Sequence, residues 1–187
     1  MDQGPRFKPL AEAEMDEPQR RVYRAIAAGP RGAVRGPFNA LLRSPELADR
    51  AQKLGEYLRF ANSLPAPLNE LAILVTARAW SAQYEWYAHA KLAAQAGLGL
   101  NLIQEIKNKR RPGKMSGDEA AVYDFCTELH EKKEVSDTAF AAVLERFGER
   151  GVVDLIGVSG YYTLVSMVLN VDRVPLPDGQ PDPLKKP

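Results

Sequence analysis

After Pro67 the chain runs to Gly97, about 30 residues, without a proline or a glycine. A segment of this length reads as two helices in tandem that break near Ser81, and its many alanines let neighbouring helices approach closely. This pair is expected to be the central helical hairpin of the fold. The flanking sequence is punctuated in the same way. Asp16, with Pro18 just behind it, can cap a helix whose stripe is Val22, Tyr23 and Ile26 and which Gly29 and Pro30 stop. The segment RGPFNALLRSPELA gives a short helical piece, and Ser44 followed by Pro45 starts the next helix. In that helix Leu47, Ala51, Leu54, Leu58 and Ala61 recur at spacings of three and four and predict one buried face.

Beyond Gly97 the pattern predicts a short helix over LNLIQEIKN, a basic loop, and a helix from about Asp118 to Glu131 with Val122, Phe125, Cys126 and Leu129 on its apolar face. Ser136 and Gly148 bracket a further helix as cap and stop. The last apolar stretch, from Gly151 to Val174, contains Gly157, Gly160 and several β-branched residues, but its length predicts a helix buried nearly all round. No segment alternates as a strand would, so the fold class is all-α and a single domain. The domain is expected over 17–174, with a polar, flexible N-terminal arm over 1–16 and a proline-rich arm over 175–187.

Composition narrows the function classes. A net charge of +1 offers no global handle for nucleic acid or for an anionic membrane surface, so specificity must come from a local site. One cysteine, Cys126, excludes an intrachain disulfide, a CxxC redox pair and a cysteine-based zinc cluster. The N-terminus lacks the apolar core of a secretory signal, and no run approaches the roughly 18 apolar residues that span a bilayer. The expected location is the cytoplasm. The basic run Lys107, Lys109, Arg110, Arg111 and Lys114 reads as a solvated loop, because neither aromatic interleaving nor overall charge supports nucleic-acid binding.

The candidate chemistry lies in AQYEWYAHAKL. Glu85 and His89, one of two histidines in the chain, stand four apart and so share a helix face. A carboxylate on one imidazole nitrogen fixes its tautomer and leaves the other free to move a proton, as general acid/base catalysis requires. The same spacing is also common on solvated helix faces. Trp86, Tyr84 and Tyr87 beside the pair suit a small-molecule pocket and equally a helix interface. Glu70 is one of few acids in an apolar run: either it is buried with a partner, or it lies at the surface in a first helical turn. Periodicity leaves both open. His130 reads as a surface residue, Cys126 as an inert packed thiol, and Tyr161, Tyr162 and Met167 as core or subunit-interface residues.

The segments NELAILVTARAWSAQYEWYAHAKLAAQAGL and GVVDLIGVSGYYTLVSMVLNVDRVPLP resemble the carboxymuconolactone decarboxylase family, of the same superfamily as alkylhydroperoxidase D, and the resemblance runs from about Ala25 to Pro177. The peroxidase branch of that superfamily carries a glutamate, then eleven residues, then Cys-x-x-Cys-x-x-x-His. On this chain the glutamate falls on Glu70, the cysteines on Ala82 and Glu85, and the histidine on His89. Neither alanine nor glutamate can attack a peroxide or resolve the product, so thiol peroxidase activity is not expected.

What the resemblance implies instead is an alkylhydroperoxidase D-like helical bundle that assembles as a trimer or hexamer, with a pocket along the histidine helix and Tyr161 within reach of it. It further implies a cofactor-independent lyase, acting on a small carboxylated lactone or an aromatic-derived acid and needing no metal or organic cofactor. Loss of carbon dioxide from such a lactone leaves enolate-like charge that must be stabilised and protonated at carbon. In that scheme His89 donates the proton, Glu70 orients or relays, Glu85 tunes His89 or serves as a second acid, Trp86 and Tyr84 wall the substrate, and Arg78 pairs with Glu70 or holds a substrate carboxylate. The alternative is a non-catalytic oligomeric scaffold that kept the fold. The two differ in whether Glu70, Glu85 and His89 converge on one accessible cavity.

Overall fold

Every residue from Leu68 to Arg78 is buried, which makes the first half of the uninterrupted segment the hub of the molecule. The computed structural model describes residues 4–177 and 180–184 and holds eight α-helices and no strand among them. They are α1 (Glu17–Ala28), α2 (Phe38–Leu41), α3 (Pro45–Phe60), α4 (Ala66–Ala79), α5 (Gln83–Gln95), α6 (Leu100–Lys107), α7 (Gly117–Lys132) and α8 (Asp137–Asp172). Helix α4 packs against α5, α6, α7 and α8, so the expected all-α single domain is built around it.

Local signals set most boundaries. Asp16 accepts from the Gln19 amide at 2.8 Å while the Asp16 amide donates to the Gln19 side chain at 3.0 Å, a reciprocal cap that starts α1. Ser116 and Ser136 cap α7 and α8 through their hydroxyls. Ser44 stands at the cap position of α3, but its hydroxyl makes no capping bond, and Pro45 alone sets the helix start. The break near Ser81 is sharp: Ser81 adopts φ 49° between α4 and α5, and Gly97 at φ 100° ends α5.

Two apolar faces depart from the sequence pattern. Helix α3 buries Ala48, Ala51, Gln52, Gly55 and Leu58 and leaves Leu47 and Leu54 on the surface. Its small residues face inward because the side chain of Tyr161 and the guanidinium of Arg31 lie directly over Gly55, where no Cβ would fit. Helix α8 is not buried all round. Val153, Ile156, Met167 and Val171 are exposed, because α3, α4, α5 and α7 all pack on its other side. It is long and apolar enough to cross a membrane by length and composition, yet 56% of its most apolar window is buried inside the protein. Gly148 stops the first helical segment as its sequence context predicts: at φ 65° and ψ −178° it leaves the helical backbone, and a second segment follows directly across the kink, so that α8 is two helices joined end to end.

The N-terminal arm is pinned rather than loose from Arg6 to Leu10. The amides of Arg6 and Phe7 donate to the Asp172 carbonyl and carboxylate at 2.8 and 2.7 Å, and Leu10 donates to Asn39. At the other end Gln83 brackets Leu184 with bonds to its carbonyl at 2.9 Å and from its amide at 2.8 Å, which buries the leucine. Of the expected C-terminal arm over 175–187, residues 178–179 and 185–187 lie outside the described residues.

The kink separates backbone effects from packing effects. A Cβ at Gly148 would meet nothing within 4 Å. Gly148→Ala is nevertheless predicted to lose roughly 1–3 kcal/mol, because its backbone conformation is one that only glycine adopts freely. Gly160→Ala, in regular exposed helix with nothing within 4 Å of its Cβ, is predicted to gain up to about 1 kcal/mol. Chemical denaturation of the two variants checks both signs.

Candidate active site

The antiparallel turn at Ser81 lays α5 back along α4 and brings the early part of one against the middle of the other. Glu70 and His89 therefore face each other across the hairpin, and Glu85 joins them from one turn earlier on α5. His89 Nδ1 lies 2.7 Å from Glu70 Oε2 and His89 Nε2 lies 3.0 Å from Glu85 Oε1. All three residues are buried. Of the two placements open to Glu70, the buried and partnered one is realised.

Both ring nitrogens thus meet carboxylate oxygens. A neutral imidazole carries one N–H and would set a lone pair against one of the two carboxylates, whereas an imidazolium donates to both. Burial alone would lower the His89 pKa. The Glu85 charge and the hydrogen bonds to Glu70 and Glu85 outweigh it and raise the pKa from 6.5 to about 9. The expected free nitrogen on His89 is absent, because Glu70 occupies it. The Tyr162 ring stands edge-on to the imidazole at 5.1 Å and closes one side of the site.

A cleft of about 250 Å³ opens on this group, a size for a small molecule. Glu85, His89, Tyr84, Tyr161 and Tyr162 line it; Glu70 stands behind His89 and does not. Three residues that the sequence reading did not single out complete the wall: Arg31 and Arg35 from the loop between α1 and α2, and Arg59 from α3. The signal was present in GPRGAVRGPF, where glycines and prolines hold two arginines in a loop, the usual place for binding residues. Gly36, at φ 59°, lets this loop lie against the ring of Tyr84.

Other expected residues lie elsewhere. Trp86 is buried in the core on a different face of α5 and does not reach the cleft. Arg78 neither pairs with Glu70 nor enters the cleft. Its Nε donates to the Lys107 carbonyl at 2.9 Å and another guanidinium nitrogen donates to Ser81 Oγ at 2.9 Å, so it braces the α4–α5 turn against the end of α6. Tyr87 is partly exposed and also outside the cleft. His130 is not a free surface residue: it sits 2.8 Å from Thr76 Oγ1, and burial followed by the Lys133 charge lowers its pKa to about 4. Cys126 is fully buried beside Ser159, and burial pushes its thiol up to about 12, as suits an inert packed cysteine.

The raised His89 pKa fixes the sign of a stability effect. A proton held more tightly in the folded state stabilises it fully below pH 6.5, the ordinary value, and that stabilisation is lost as pH rises through about 9. Thermal unfolding temperature is therefore predicted to fall between pH 7 and pH 10, and the fall should be smaller in Glu85→Gln, which removes the strongest raising influence on His89.

No family model and no curated protein matches the sequence. Solved structures do match. A crystal structure of an alkylhydroperoxidase AhpD core, an uncharacterised peroxidase-related protein from Ralstonia eutropha, aligns with a TM-score of 0.76 at 16% identity, covering 95% of each chain. An uncharacterised peroxidase-related protein from a Silicibacter species aligns with a TM-score of 0.72 at 15% identity, covering 92% of each chain. At such identity the likeness speaks to architecture, and the helical bundle with its α4–α5 hairpin carries the alkylhydroperoxidase D-like fold.

Proposed function

We propose that the chain is an acid/base enzyme of carboxymuconolactone decarboxylase type, acting without a redox cysteine on a small carboxylated lactone or related acid. One observation carries this reading: Glu85 and a strongly basic His89 line the same cleft, with Glu70 holding the imidazolium from behind. A scaffold has no need of a buried charged group at the mouth of a cavity.

The geometry supports a redistribution of roles relative to the sequence reading. With both His89 nitrogens taken, Glu85 is the better candidate for contact with substrate, since its second oxygen has no partner among the described residues. In the proposed step the substrate C–CO₂ bond breaks and its electron pair moves into an enolate-like system. Glu85 delivers a proton to carbon and takes one from His89 Nε2, while Glu70 keeps the imidazole oriented. Tyr161 and Tyr162 exclude water from the inner wall. The proton returns to His89 from solvent at the end of the cycle.

The exposed apolar stripe on α8, Val153, Ile156, Met167 and Val171, supports assembly of like chains through this side of the bundle. The proposed partner is a further copy of the chain, in a trimer or hexamer.

Purified protein offered a panel of carboxylated lactones is expected to release carbon dioxide from at least one, with Glu85→Gln and His89→Ala each slower by roughly 10²-fold or more. The rate should fall as pH rises through about 9, when His89 gives up its proton. Release that is unaffected by both substitutions contradicts the mechanism. Light scattering of Ile156→Glu is expected to give smaller particles than the wild type; equal mass would contradict assembly through α8.

A further inference from the structure

We propose that Arg31, supported by Arg35 and Arg59, forms a dedicated oxyanion subsite of the cleft that takes a carboxylate of the ligand and sets its orientation toward Glu85. This rests on the cleft being a ligand site but not on the acid/base chemistry of Glu85 and His89.

The charge balance of the cleft is the first argument. With His89 protonated, the Glu70, Glu85 and His89 group carries one net negative charge, and three arginines line the same cleft. None of the three arginines forms an ion pair among the described residues. The cleft therefore holds more positive than negative charge, and its arginines are left without an ion-pair partner among the described residues.

Arg31 is the second. Its guanidinium lies over the Phe38 ring at 4.9 Å, and a terminal nitrogen donates to Tyr161 Oη at 3.3 Å, yet its Nε is buried with no acceptor. Arg31 as a residue is only part-buried and lines the cleft, so its terminal nitrogens can meet a ligand carboxylate while Nε stays enclosed. The group is also built for its position. Gly55 of α3 supplies the space in which the Tyr161 hydroxyl and the Arg31 guanidinium meet; a Cβ at that residue would overlap both. Burial pushes the Tyr161 hydroxyl up and the Arg31 and Arg59 charges oppose it; burial and the Glu85 charge push Tyr162 up and the Arg59 charge opposes them, so the arginines lie close enough to act on the tyrosines beside His89.

A carboxylate is the anion proposed, its two coplanar oxygens matching the flat edge of a guanidinium, and phosphate is the competing arm of the test. The cleft is about 250 Å³, and Tyr84, Tyr161 and Tyr162 already occupy its flanks. The volume suits a small acid flanked by these rings.

The test titrates the protein with benzoate, succinate, inorganic phosphate, and the neutral amides of the two acids, following heat of binding. At least one carboxylate is expected to bind, with its amide weaker by about tenfold or more. Arg31→Met is expected to lose about tenfold or more in carboxylate affinity, Arg31→Lys to lose less, and Gly55→Ala to match Arg31→Met. Helical circular dichroism and the His89 ring signal, unchanged in these variants, exclude misfolding as the cause. Equal binding of acid and amide, binding indifferent to Arg31, or no binding by any probe overturns the subsite. Phosphate binding without carboxylate binding overturns the carboxylate assignment. Carboxylate binding by Arg31 in a protein whose His89 titrates near its ordinary value would leave the subsite standing and reject the acid/base reading, so the two failures are distinguishable.

Discussion

A positive imidazole held between two buried carboxylates is the interaction on which this structure turns. Removing any one member leaves an uncompensated charge or polar group in the interior, which in buried ion pairs costs on the order of 3–5 kcal/mol. The trio therefore constrains the helices that carry it: α4 must present Glu70 and α5 must present Glu85 and His89 to one point. The turn at Ser81, braced by Arg78, sets that register. A buried arrangement with one net charge is poorly explained as a device for stability, because apolar side chains of similar volume would serve as well or better. Its position at the cleft supplies the missing reason in the proposed reading.

Small residues shape the surroundings of the trio. Ala82, just before α5, and Ala93 on it are fully buried and let the helices close on each other, while Gly55 makes room for the meeting of Tyr161 and Arg31. Gly36 does the same for the α1–α2 loop against Tyr84. The cleft is thus bounded by close packing, and arginines and the carboxylate of Glu85 line it together.

The elements legible in the sequence are those whose cause is local. Asp16, Ser116 and Ser136 cap helices through bonds that reach only three residues ahead, and the break at Ser81 and the end at Gly97 follow from helix length and glycine. The rotation of α3 about its axis was not legible. Leu47 and Leu54 fit an apolar stripe as well as Ala48 and Gly55 do, and only the presence of Tyr161 overhead selects the small face. The exposed side of α8 was hidden for a similar reason, since apolarity alone cannot tell a core helix from one with a free side. Spacing placed Glu85 beside His89, but the choice between a buried and a surface Glu70 needed the hairpin geometry. Arg31, Arg35 and Arg59 are distant in sequence from the trio; the glycine- and proline-rich loop marks Arg31 and Arg35 as placed where binding residues often lie, but nothing local ties any of the three to His89.

The most direct measurement is the nitrogen NMR spectrum of the two histidine rings as a function of pH. His89 is expected to show both ring nitrogens protonated at pH 7 and to lose the proton only near pH 9, while His130 stays neutral down to about pH 4. A neutral His89 at pH 7, with one nitrogen bare, would contradict the buried imidazolium on which the account is built.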